Sequence, residues 1–182
     1  MTVTNLAAGP GQLYVADFGA TEPSDVSTPL DAGWRNVGGT LDGITLRLTQ
    51  EWFALQVDQS AYEAGRVRTS GGVQIQTNLA EVTLQNLAAA FSLPDDAVTT
   101  AAGMETLEPD DGDVLTPPAY RAVLLEAVGV AGKPLRAIVR RALATDNVEQ
   151  AYTKSGQRVI PVTFTGHLVS SSIRPFRIMQ GV

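Results

Sequence analysis

Two stretches of this chain alternate apolar and polar side chains one for one, and that period restricts its fold more than any other feature. In residues 43–49, Ile44, Leu46 and Leu48 fall on one side, with Thr45, Arg47 and Thr49 on the other. In residues 71–80, Val73, Ile75 and Leu79 alternate with Gln74, Gln76 and Asn78. Successive side chains of a strand point to opposite faces, whereas a helix returns to one face every three or four residues. Both segments therefore read as strands with a core face and a wet face. The wet face carries amides, threonines and one arginine.

Further strands are expected at residues 120–128, 135–145, 158–168 and 173–179. The GVAGKP turn (129–134) joins the first two, and a Ser155-Gly156 turn leads into the alternating Ile160, Val162 and Phe164. Residues 135–144 also suit a helix, because Leu135, Ile138, Val139, Ala142 and Leu143 recur at helical spacing. A strand is preferred there, since strand–turn–strand is the simpler local topology. One helix is expected at residues 79–92 (about 80–92 in its regular part). Leu79, Val82, Leu84, Leu87, Ala88 and Phe91 come round at spacings of three and four, and Pro94 stops it. Between 92 and 118, LPDDAV, EPDDGDV and TPP make a long surface connection, interrupted by a short strand around 98–107. The expectation is a mainly β fold with one short flanking helix.

The residues 51–71, EWFALQVDQSAYEAGRVRTSG, read as an extended hairpin or excursion. Their aromatic side chains Trp52, Phe53 and Tyr62 need a partner, either the domain's own core or another subunit. At 182 residues with 44% apolar content, the chain suits one well-cored domain with appendages. The sequence MTVTNLAAG lacks the basic start and apolar run of a secretion signal. The most apolar run, residues 123–132, carries Glu126 and falls far short of the roughly 20 residues a spanning helix needs. A soluble protein without membrane insertion is expected.

Net charge is −6 and the pI about 4.7, which argues against wrapping nucleic acid, a role that needs clustered Lys and Arg. With no cysteine, disulfides, thiolate nucleophiles and Cys-based zinc sites are excluded. A single histidine, His167, excludes a two-His metal face and leaves one base for any Ser-His-Asp set; it reads as a surface or interface histidine. GVAGKP fails as a phosphate loop: Ala127 stands where the first glycine belongs and Pro134 where Ser or Thr follows the lysine. The early glycines fail the dinucleotide spacing. Asp110, Asp111 and Asp113 around Gly112 lack the alternation and late glutamate of a calcium loop and read as a solvated turn. Glu51, Asp58 and Glu63 form no recognisable catalytic carboxylate pattern. Arg136, Arg140 and Arg141 form a basic cluster suited to acids on a neighbouring subunit. No cofactor, metal or catalytic residue is expected.

The opening GPGQLYVADFGATEP (9–23) places Leu13, Val15 and Phe18 on a strand. GWRNVGGTLDGITLRL (33–48) follows, with Trp34, a Gly38-Gly39 turn and a Leu41-Asp42-Gly43 turn before the next strand. That order resembles the N-terminal part of major tail tube proteins of long-tailed, siphovirus-type phages, especially those of actinobacterial hosts. The resemblance continues through VDQSAYEAGRVRTSGGVQIQTNLAEVTLQNLAAAF (57–91), the GKP turn and the IPVTF strand, and covers most of the chain. It implies a β-sandwich-like or barrel-like subunit, a single tail tube domain, forming hexameric rings that stack into the conduit for genome delivery. Contacts between rings would come from an N-terminal arm (1–12), a long loop (50–72) and a C-terminal arm (170–182).

On this reading Thr45, Arg47, Gln74, Gln76 and Asn78 are candidates to face the lumen, where DNA slides without specific binding. Tyr14, Trp52, Phe53, Tyr62 and Arg140 are candidates for contacts between subunits. The implied partners are further copies of the chain, a tape measure protein, a tail terminator and distal tail or baseplate proteins. The protein would be made and assembled in the host cytoplasm and reside in the virion tail. The alternative is a non-catalytic β-sandwich binding module of a tail tip or related injection system. A hydrolase would need a catalytic constellation that the sequence does not display.

Overall fold

The computed structural model describes residue 7, residues 9–108 and residues 118–182. The acidic turn at Asp110, Asp111 and Asp113 and most of the 1–12 arm lie outside these residues. Ten strands and one α-helix follow in chain order: β1 (Gln12–Asp17), β2 (Arg35–Asn36), β3 (Thr40–Leu55), β4 (Gly65–Leu79), α1 (Leu84–Ala90), β5 (Val98–Ala101), β6 (Met104–Leu107), β7 (Arg121–Val128), β8 (Pro134–Ala144), β9 (Ile160–Gly166) and β10 (Phe176–Gln180). The main sheet runs β2-β1-β7-β8-β9-β4-β3 with antiparallel pairs throughout. One edge of β8 pairs with β7, and the other is shared by β9 at Ala142–Ala144 and β10 at Leu135–Val139.

That sharing lets the sheet curl into a sandwich-like form. Leu13, Val15, Val123, Leu125 and Val139 from one half meet Val73, Ile75, Leu79, Ile160 and Phe164 from the other in a common core. A second cluster covers the opposite face of the same central strands: Leu124 and Ile138 pack with Ala16, Trp34 and the half-buried Leu30. The Trp34 indole donates to the Thr21 carbonyl at 2.8 Å, so its one polar atom is satisfied. Strands buried on both faces read as near-continuous apolar runs. This is why residues 135–144 also carry a helical spacing, and they are strand.

Arg136 clamps the covering segment by donating to the carbonyls of Asp25 (2.8 Å) and Thr28 (2.6 Å) and to the Glu126 carboxylate (2.7 Å). Inside the segment, the Asp25 carboxylate accepts from the backbone N–H groups of Ser27 and Thr28, both at 2.7 Å. These bonds hold its pKa well below the usual carboxylate range.

Several expected boundaries move. β1 ends at Asp17, and Phe18 is 46% exposed beyond it, with the Arg141 guanidinium 5.7 Å from its ring. The Leu41-Asp42-Gly43 segment is a bulge inside β3 rather than a turn before it. Leu41 pairs with Asn78 and Ile44 with Thr77, while Asp42 and Gly43 absorb the irregularity at φ 63° and 80°. Leu79 closes β4 and is fully buried, and the helix starts only at Leu84, capped by the Thr83 hydroxyl accepting from the Asn86 N–H. The helix buries Asn86 and Ala88–Ala90 while Phe91 is 54% exposed, so small residues rather than the expected large ones bring it close to β9. Asn86 anchors it by donating to the carbonyls of Val37 (2.8 Å) and Glu81 (2.9 Å). The strand expected at 98–107 is a hairpin, β5–β6, whose turn residues Ala102 and Gly103 both take positive φ.

Candidate assembly surfaces

The alternation that buries Val73, Ile75, Thr77 and Leu79 sends their neighbours to the opposite face of β3–β4–β9. Register then sets the polar residues in rows across the three strands. Thr45 stands opposite Gln76, which stands opposite Thr163, and Arg47 opposite Gln74, which stands opposite Thr165. Gln74 Nε2 donates to Thr165 Oγ1 at 3.2 Å. Asn78, one step along, donates to the Asp42 carboxylate at 3.3 Å. The five wet-face residues thus lie on one surface. Thr163 and Thr165 extend it onto β9, and the alternation of IPVTFT already carried that signal.

Beyond Val73, β3 and β4 leave the body of the protein. β9 pairs with β4 only from Gln74 to Leu79, whereas the β3–β4 ladder continues to Leu55 and Gly65. The projecting hairpin bends at an irregularity between Glu51 and Trp52, then pairs Trp52 with Arg68 and Phe53 with Val67. With no third strand beside it among the described residues, its apolar side chains stay in solvent: Trp52 is 53% exposed, Phe53 62% and Tyr62 84%. The sequence left open whether the domain's core covers these aromatics, and it does not. Strand pairing also shortens the expected 50–72 loop to residues 56–64. In that loop Ala64 donates to the Leu55 carbonyl at 2.8 Å, and Glu63 pairs with Arg66 at 2.8 Å.

The other two candidate contact residues lie apart from the hairpin. Tyr14 is half-buried on β1, opposite Asn36 and Leu124, with its hydroxyl donating to Gln12 Oε1 at 2.8 Å. Burial first, and the nearby Glu126 carboxylate second, raise its pKa above the usual phenol value. Arg140 is engaged within the chain, donating to both oxygens of Glu22 and to the Arg174 carbonyl. Arg136 likewise finds Glu126 in its own chain. Arg141 lies 3.9 Å from the centroid of Tyr120 and donates to the Leu168 carbonyl at 3.0 Å. The cluster read as intersubunit cations is largely an internal set of clamps, because the strands it sits on face their own acids and aromatics. Residues 170–182 do not extend away either: β10 folds back onto β8.

A site the sequence did not single out is Arg121, a fully buried cation whose Nη2 donates to the Leu93 carbonyl (2.6 Å) and Asp95 (2.7 Å) and whose Nη1 meets Asp17. It joins β1, β7 and the turn after the helix. Flanked in sequence by apolar residues, it reads like any strand end, and only the fold gathers its partners from 104 and 26 residues away.

His167 offers no catalytic set. Its ring meets Tyr120 edge-on at 5.7 Å, and its Nε2 has no hydrogen-bond partner among the described residues. Glu51 stands on β3 while Asp58 and Glu63 sit in the hairpin's end loop, so they do not converge. Among the described residues no three His, Asp or Glu side chains gather in metal-binding fashion, and no helix is long and apolar enough to cross a membrane.

What this surface offers is places for other polypeptide to dock: a long strand edge, a wet sheet face and an apolar projection. Those are the properties of a structural protein that associates with copies of itself. The model of the phage tail tube protein family matches residues 3–171, and the chain belongs to that family. It is a structural component of the phage tail, a class of protein that assembles into a tube. No curated protein matches the chain significantly.

Proposed function

We propose that copies of this chain close side by side into hexameric rings, and that the rings stack into the tail tube of a siphovirus-type phage of an actinobacterial host, the conduit for its genome. The observation that carries this reading is the free edge of β3. Sixteen residues long, it ends the sheet with no strand beyond it among the described residues, while the other end of the sheet is the two-residue β2. Such an edge presents a row of unpaired backbone donors and acceptors, and side-by-side closure satisfies them without leaving an edge for aggregation.

In this arrangement the face of Thr45, Arg47, Gln74, Gln76 and Asn78 lines the lumen. Its amides and hydroxyls keep it hydrated, and with Arg47 as its one cation it gives DNA few phosphate anchors, so the genome slides rather than binds. The projecting hairpin, with Trp52, Phe53 and Tyr62, and the two termini make contacts between rings. The subunit acts as a single tail tube domain with no catalytic role, built in the host cytoplasm. It meets the tape measure protein in the lumen, and the terminator and distal tail proteins at the two ends.

Negative-stain imaging of the purified protein tests ring formation: rings or tubes about 100 Å wide are expected for six domains of this size, and monomers at every concentration refute it. Lumen placement is tested by changing Gln74 and Gln76 to Lys. Slowed DNA ejection from intact tails is expected, and unchanged ejection counts against it.

A further inference from the structure

The root of the projecting hairpin borders a cavity of about 400 Å³ on the side of the β9–β10 connection. Its apolar lining includes Leu48, Val73, Leu168 and Phe176, of which Leu48 is 50% and Leu168 67% exposed. The charged groups of the lining are Arg68 and Arg174, with His167 beside them and no carboxylate. Among the described residues neither arginine has an ion-pair partner. In a chain of net charge −6, a pocket whose charges are all cationic is an exception that calls for an anionic partner.

The same chain displays the complementary shape elsewhere. β5–β6 forms a two-stranded sheet of its own, separate from the main one. Its second strand begins with Met104, 64% exposed, followed by Glu105 and Glu108, both exposed, and residues 98–108 contain no Lys or Arg. Glu105 accepts only a long 3.4 Å hydrogen bond from Gln85 Nε2 among the described residues. A lone two-stranded hairpin is marginally stable in water, and the main contacts of this one among the described residues are to the helix, so a second surface to rest on would stabilise it.

We propose that the cavity at the hairpin root receives the β5–β6 hairpin of a second copy of this chain. Met104 lies over Leu48 and Leu168, and Glu108, which alternation puts on the same side as Met104, faces Arg68 and Arg174. Methionine suits such a place because its unbranched side chain fills irregular apolar gaps. The contact is heterologous, cavity to knob, and so propagates from copy to copy as a ring or a stack requires. The inference rests on the tube-forming reading above and gives it a specific joint.

The absence of cysteine makes the test clean. Met104→Cys and Leu168→Cys are made in separate chains, and the two variants are mixed under assembly conditions and mildly oxidised. A disulfide-linked pair that forms in the mixture, at least about tenfold more than in either variant alone, is the expected result. Tubes that form without the cross-link overturn the joint while leaving the tube reading intact, whereas wild-type protein that makes no rings or tubes defeats the tube reading itself.

A second arm reads the charges. Arg68→Glu with Arg174→Glu should raise the concentration needed for assembly about tenfold, equivalent to about 1.4 kcal/mol, and adding Glu108→Lys should restore part of it. Folding of each variant is checked by its thermal transition. A folded charge-reversed variant that assembles like wild type overturns the proposal, as does a cross-link found within one chain in a Met104→Cys, Leu168→Cys double variant, which would place the chain's own hairpin in the cavity.

Discussion

The central strands β7 and β8 and the far end of the β3–β4 hairpin are built from the same kinds of residue and treated in opposite ways. In β7 and β8, Val123, Leu124, Ile138 and Val139 are fully or almost fully buried, because one cluster covers each face of the sheet. In the hairpin, Trp52, Phe53, Val67 and Tyr62 lie at least half in water, because among the described residues no strand or helix follows the hairpin outward. The first region holds the subunit together. The second carries apolar area that no other described part of the subunit covers, which suits it to a neighbour.

The comparison breaks most sharply in the core. Ile138→Ala removes a fully buried side chain packed against Leu124 and Trp34 and should cost about 2–5 kcal/mol, read as a lowered midpoint in urea. Next comes Arg121: truncation to Ala leaves a cavity and frees Asp17, Asp95 and the Leu93 carbonyl, an expected loss of about 1–3 kcal/mol. Because both aspartates are largely exposed and can rehydrate, Arg121→Met should recover part of that loss by refilling the volume.

Asn86→Ala orphans the Val37 carbonyl and loosens the helix, with an expected cost of about 1–2 kcal/mol in the same assay. At the small end, replacing Trp52 and Phe53 by Ser should shift monomer stability by no more than about 0.5 kcal/mol. A loss comparable to Ile138→Ala would show that the hairpin is part of the subunit's own core.

Proton dependence sharpens the contrast for the segment covering the second face. The backbone N–H groups of Ser27 and Thr28 depress the folded pKa of Asp25. The stability this gives is therefore present above the unfolded carboxylate value of about 3.9 and is lost as pH falls through the lower folded value. Acid titration with and without Asp25→Asn, both in a Trp52→Phe background so that the fluorescence reports Trp34, should show the advantage of Asp25 narrowing in that window. Parallel curves would remove Asp25 from the account.

Much of this fold was legible because period-two alternation survives wherever one face is wet. The segments 43–49, 71–80 and 158–168 gave strands and faces together, and the wet-face residues converge as their spacing required. Legibility was weaker where two faces are buried, as in β8, whose strand was read from the strand–turn–strand topology because continuous burial erases the period. At the helix the element itself was legible, and its start and packing face were not. The run from Leu79 to Phe91 has helical spacing, yet Leu79 is claimed by the β4–β9 ladder, and α1 packs through alanines.

The arginine clamps were hidden for a different reason. Arg140 finds Glu22 from 118 residues away and Arg136 finds the covering segment from more than 100, pairings set by topology alone. The exposed aromatics of the hairpin were visible as unusual residues, but their lack of an intrachain partner needed the fold.

The division of labour between body and hairpin is tested most directly by imaging wild type and the Trp52→Ser, Phe53→Ser variant side by side in negative stain, at matched concentration and with matched thermal transitions. Stacked tubes from the wild type and separate, unstacked rings from the folded variant are the expected result. Tubes of the same form and abundance from both proteins would contradict the claim that the projecting hairpin joins ring to ring.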